Sequence, residues 1–105
     1  MFYKIVVFAP EKSAAKIRKA LGEAGAGRIG NYSFCTFSTK GIGRFKPLKG
    51  AMPTIGKINK VEAVHEIRIE TICSQDKLEK VLQAIKEKHP YEEPAVDVYE
   101  LKLPS

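Results

Sequence analysis

His89-Pro90-Tyr91-Glu92-Glu93-Pro94 places an imidazole, a phenol and two carboxylates between two prolines. An imidazole beside a carboxylate is a ligand set suited to zinc, copper or nickel. Only one histidine lies in the run, so a tetrahedral site would need His65, a cysteine or a neighbouring subunit to complete it. The alternative is a joint. Pro90 and Pro94 shape the passage from a helix to a strand, Tyr91 packs across a subunit boundary, and Glu92 or Glu93 accepts backbone or arginine hydrogen bonds. We prefer this second reading for His89, Tyr91, Glu92 and Glu93, because an incomplete ligand pair makes a weak site, and we expect no bound metal and no cofactor.

The other chemistry-bearing stretch is basic. Lys40, Arg44, Lys46, Lys49, Lys57 and Lys60 fall in a segment without a single acid, whereas residues 61–105 carry ten acids against six cations, within a net charge of +6. Gly41, Gly43 and Gly50 punctuate the same segment. Glycine lets backbone N–H groups approach an anion, and Arg44, Lys46 and Lys49 would neutralise it, so a phosphate-bearing small ligand or an acidic protein partner is the candidate occupant, against the plainer reading of a surface loop with solvated lysines. Gly41-Ile42-Gly43-Arg44 is not a Walker or dinucleotide fingerprint, since no helix follows it where one is required. The acidic second half leaves no continuous basic face, which argues against nucleic acid. Catalysis lacks support as well: no serine or cysteine has a base at recognisable spacing, and two histidines among scattered acids define no acid-base pair.

These residues need a scaffold, and 105 residues allow one domain spanning the whole chain, 1–105. The apolar run Phe2 to Ala9 predicts a central strand. Ala14, Ile17, Leu21 and Ala24 recur at helical spacing over 13–24, with Gly25 as the stop. Tyr32, Phe34 and Thr36 alternate against Ser33, Cys35 and Phe37, predicting a strand over 28–38, and the glycines and prolines of 39–60 predict a connection of about twenty residues with no long helix or strand, well beyond ordinary loop length. A strand from Val61 to Cys73 sets His65, Ile67, Ile69 and Thr71 on one face and Glu66, Arg68, Glu70 and Ile72 on the other. Ser74 is placed to cap a helix over 75–88, with Leu78, Val81, Leu82 and Ile85 as its buried stripe, and Pro90 ends it. A last strand covers about 95–103. The order βαββαβ is that of a ferredoxin-like α+β sandwich, an antiparallel sheet with two helices on one face. Val6, Cys35, Phe37, Val96 and Val98 would offer apolar side chains to the uncovered face, a candidate for self-association.

Cys35 and Cys73 stand far apart without a CxxC spacing, and are expected as reduced thiols. No apolar run approaches the ~20 residues of a membrane span, and Met1-Phe2-Tyr3-Lys4-Ile5 enters a strand directly, so a cytoplasmic protein without membrane contact is expected.

Three stretches together resemble one family. They are Gly25 to Ser38; Gly41-Ile42-Gly43-Arg44-Phe45-Lys46-Pro47 with Gly50-Ala51-Met52-Pro53 and Ile55-Gly56; and His89 to Pro94 followed by Val96-Asp97-Val98-Tyr99. They are similar to the insert domain of Nif-three-like proteins, the YqfO family, and the likeness covers essentially the whole chain. In full-length members that domain interrupts a protein whose flanking halves carry a two-metal centre, so the resemblance implies a stand-alone insert without that chemistry. The insert in turn resembles the CutA and PII proteins. CutA proteins carry a similar His-Pro-Tyr-Glu run after their second helix, and PII proteins use the long loop between the second and third strands for ligands and partners. What this implies is a homotrimer with a sensing or interaction role. A CutA-like divalent-metal binder and a purely structural oligomerisation domain are the alternatives. Many family members have histidine before the cysteine of the second strand, where this chain has Phe34, which weakens a metal role for Cys35.

Overall fold

The computed structural model describes residues 1–104. Four strands, β1 (Phe2–Pro10), β2 (Phe37–Phe45), β3 (Glu62–Ser74) and β4 (Val96–Leu101), form one antiparallel sheet in the order β2-β3-β1-β4. Helices α1 (Ala14–Glu23) and α2 (Leu78–Lys88), each entered through a 3-10 turn, pack on one of its faces. This is the predicted ferredoxin-like α+β sandwich.

The core lies between helices and sheet. Ile5, Val7 and Ala9 of β1 and Ile67, Ile69 and Cys73 of β3 meet Ile17 and Leu21 of α1 and Val81 and Ile85 of α2. Each fully buried Ile, Leu or Val contributes about 1.5–3 kcal/mol. Gly25 ends α1 at φ +104°, with the Ala26 N–H bonded to the Leu21 carbonyl and the Gly25 N–H to the Gly22 carbonyl. That is a Schellman cap, and only a residue tolerant of positive φ completes it cheaply. At the start of the second helical segment, Ser74 stands in the cap position but makes no side-chain cap bond; its hydroxyl donates to the Asp76 carboxylate instead.

The second strand is displaced from its expected place. It begins at Phe37, so of the segment expected to be a strand, 28–38, only Phe37 and Ser38 pair, and 28–36 is irregular except for a two-residue turn closed by reciprocal bonds between Ile29 and Tyr32. The physical reason is local: Gly27, Gly30 and Phe34 all take positive φ, which an extended ladder does not allow. Phe34 reaches φ +60° with its ring seated on Gly22 of α1, where a Cβ would overlap it. A bulky side chain rarely adopts that backbone, so the ring's seat must compensate for the strain. The expected long connection is correspondingly shorter. Gly41, Gly43 and Arg44 belong to β2 and pair with β3, leaving 46–61 as the link.

Cross-strand partners share a face, so register assigns the two sides of the sheet. Ile5, Val7, Ile67, Ile69, Val96 and Val98 lie on the helix side; Lys4, Val6, Phe8, Glu66, Arg68, Glu70, Phe37 and Tyr99 lie on the other. Of the apolar residues expected on the uncovered face, Phe37 is there and 66% exposed. Val6 is there as well but fully buried; Val96 packs on the core instead, Val98 shares its side, and Cys35 precedes the sheet. Phe2 and Tyr99 join Phe37 as exposed aromatic groups of that face.

Candidate functional site: the 89–94 joint and the basic hairpin

The two stretches singled out in the sequence meet in space. His89 closes α2, its N–H bonded to the Ile85 carbonyl, and turns to an extended backbone ahead of Pro90. The imidazole is buried. Its Nε2 lies 2.7 Å from the Phe8 carbonyl of β1, and its Nδ1 accepts the Tyr91 N–H at 3.0 Å. A carbonyl can only accept and an amide N–H can only donate, so one tautomer fits: neutral, with the proton on Nε2. Burial pushes the His89 pKa below its ordinary value, against the Phe8 hydrogen bond and the Glu66 charge, which favour the cation.

Tyr91 carries the connection outward. Its hydroxyl donates to Glu66 Oε2 of β3 at 3.0 Å, and its ring meets Phe45 of β2 edge-on at 5.9 Å. Burial and the Glu66 carboxylate raise the phenol's pKa, so it stays protonated and keeps donating. Glu66 reaches across Gly43, where a Cβ would overlap its carboxylate. The connection after β2 is tied to the same turn: the Met52 N–H donates to Glu92 Oε1 at 3.1 Å and the Thr54 hydroxyl to the Pro90 carbonyl at 2.7 Å. Glu93 is exposed.

This arrangement corrects the picture of a glycine cradle. Gly41 and Gly43 sit in a paired strand, whereas an anion nest needs successive N–H groups converging from a turn. Gly50, at φ +101°, is a turn residue of the connection. Arg44, Lys46 and Lys49 are exposed along β2 and just beyond it, and Lys40 makes a salt bridge of 3.9 Å with Glu11. The metal alternative loses its main ligand, because both His89 nitrogens are engaged within the chain. Among the described residues no three His, Cys, Asp or Glu side chains gather as a metal site would require. Glu66, Phe45 and Thr54 belong to the joint but were not legible as such. The β2–β3 register brings Glu66 and Phe45 to Tyr91, and the packing of the connection brings Thr54 to Pro90; the displaced β2 hid the first.

No family profile matches the chain. Individual proteins do. Over 99 residues it is 54% identical to a "GTP cyclohydrolase 1 type 2 homolog" of Halalkalibacterium halodurans, covering 94% of this chain and 27% of that protein. A protein of the same name from Bacillus subtilis is 49% identical over 96 residues, covering 91% and 26%. The chain thus spans about a quarter of the length of these relatives. Among solved structures, a Bacillus cereus protein related to NIF3 superposes with a TM-score of 0.85 at 49% identity, covering 97% of this chain and 26% of that one. The periplasmic divalent cation tolerance protein CutA of Archaeoglobus fulgidus matches all of this chain and 88% of its own at a TM-score of 0.73 and 20% identity, a likeness of fold. By sequence and by fold together, the chain is the homologue of one segment, of CutA-like fold, within the longer Nif-three-like proteins of the YqfO family.

Proposed function

We propose that this domain is a non-catalytic interaction module that self-associates through the helix-free face of its sheet and offers the hairpin end, with Arg44, Lys46 and Lys49, to a phosphate-bearing ligand or acidic partner. The observation that carries the reading is the asymmetry of the sheet. One face is sealed by α1 and α2, while the other exposes Phe2, Phe37 and Tyr99 among the charges Lys4, Glu66, Arg68 and Glu70. Exposed aromatic groups ringed by charge are what interface cores and rims are made of. A closed ring would cover this face in every copy, and a trimer is what the resemblance to CutA and PII proteins implies.

The cyclohydrolase in the relatives' name is not assigned to this chain, which spans about a quarter of their length. A cytoplasmic setting agrees with two free thiols, Cys35 and Cys73, and no helix among the described residues is long and apolar enough to cross a membrane.

Light scattering tests the assembly. Three protomers are expected, and a Phe37→Glu, Tyr99→Glu double change should lower the mass to one; a wild-type monomer at micromolar concentration would refute self-association. Ligand binding is tested separately, by thermal shift with nucleotides and phosphorylated metabolites. A rise in Tm that disappears in Arg44→Ala, Lys46→Ala supports the hairpin site, and no rise with any of them leaves a purely structural assembly domain.

A further inference from the structure

The buried His89 ties the sheet to the turn that holds the hairpin connection. We propose that His89 is a pH-sensitive latch, whose protonation releases the 90–94 turn and with it the 46–61 connection. The chain of contacts runs in one direction. Nε2–H anchors the ring to the Phe8 carbonyl, near the end of the inner strand β1, and Nδ1 accepts the Tyr91 N–H. From that turn, Tyr91 reaches Glu66 and Phe45, Pro90 accepts from Thr54, and Glu92 accepts from Met52. Two of these bonds, from Met52 and Thr54, join 46–61 to the turn, and Tyr91 joins the same turn to β2 and β3 at the two ends of that connection.

A proton on Nδ1 would face the Tyr91 N–H, donor against donor, at a distance where the present bond is 3.0 Å. The bond to Phe8 survives protonation, so the ring stays in place while the turn is pushed away. Three groups face the ring from the elements around it. Glu66 of β3 favours the cation, Lys16 of α1 opposes it, and the Tyr91 ring lies 5.0 Å away, tilted by 49°. Because the closed form disfavours the cation, the closed form binds fewer protons than the open one. Its stability is therefore full above the ordinary histidine pKa and falls as pH drops toward the lowered one. The device is independent of any ligand at Arg44, Lys46 and Lys49, but it governs the segment that carries Lys46 and Lys49.

Amide hydrogen exchange on the 105-residue chain reads it directly. After correction for the intrinsic pH dependence of exchange, opening at Met52 and Tyr91 should increase up to about tenfold per pH unit through the window between the two histidine pKa values, then level off. Core amides of β1 and β3 should keep their protection. His89→Gln should abolish the pH dependence, and His65→Gln should leave it intact. Should His89→Gln fail to fold, the wild-type ring titration followed by NMR serves instead, and its midpoint must coincide with the shifts of the Met52 and Tyr91 amides. Opening that ignores pH, that follows His65, or that spreads equally through the core would overturn the latch.

Discussion

The turn at 89–94 and the basic end of the hairpin were the two chemically rich stretches of the sequence, and they differ in how much of that chemistry the fold already uses. In the turn, both nitrogens of His89, the hydroxyl of Tyr91, the Pro90 carbonyl and an oxygen of Glu92 all have partners within the chain. Along the hairpin, Arg44, Lys46 and Lys49 stand exposed. A cluster of catalytic residue types can thus be a structural joint, while a plain run of cations keeps its donors available. Polar groups that fold a protein and polar groups that bind something else are separated by whether their hydrogen bonds close internally.

The sharpest way to break this contrast is at His89. His89→Ala removes the acceptor for the Tyr91 N–H and the donor to Phe8 and leaves a cavity beside the core, and should destabilise the domain by about 2–4 kcal/mol. A loss below about 0.5 kcal/mol in urea melts would mean that the joint holds nothing. Tyr91 should matter less. Tyr91→Phe keeps the ring against Phe45 and deletes only the bond to Glu66, a cost of about 1 kcal/mol. A double-mutant cycle with Glu66→Gln checks the pair, and zero coupling would detach the hairpin from the turn.

The fold class, both helices and the face of β3 were legible because they rest on short-range periodicity. His65, Ile67, Ile69 and Thr71 do share one side, and Gly25 does stop α1. The strand at 28–38 was misplaced for a reason that periodicity does not contain. Alternation over Tyr32 to Phe37 looks extended, but the seat of Phe34 on Gly22 and the positive φ of Gly27 and Gly30 are tertiary facts that bend the chain there. The same shift moved Gly41 and Gly43 from an expected loop into a ladder. Glycine usually weakens a strand interior, yet β2 is an edge strand and Gly43 makes room for Glu66. The joint's residue list was half legible: His89, Tyr91 and Glu92 announce themselves by position, whereas Glu66, Phe45 and Thr54 enter only through strand register and loop packing.

The smallest stability effect is expected where the functional bet lies. Arg44→Ala with Lys46→Ala removes two exposed cations that make no hydrogen bond or salt bridge among the described residues, so the melting free energy should stay within about 0.5 kcal/mol of wild type. It should even rise slightly at low salt, because the segment 40–60 carries only positive charge and each deletion relieves repulsion among Lys40, Lys49, Lys57 and Lys60. Salt should erase that gain, since exposed charges are screened beyond ~8 Å at physiological ionic strength. A large loss of stability would place these two side chains with the joint and not opposite to it. Near-neutral stability combined with a lost response to an anionic ligand would instead separate the two regions cleanly, one that builds the domain and one that the domain presents.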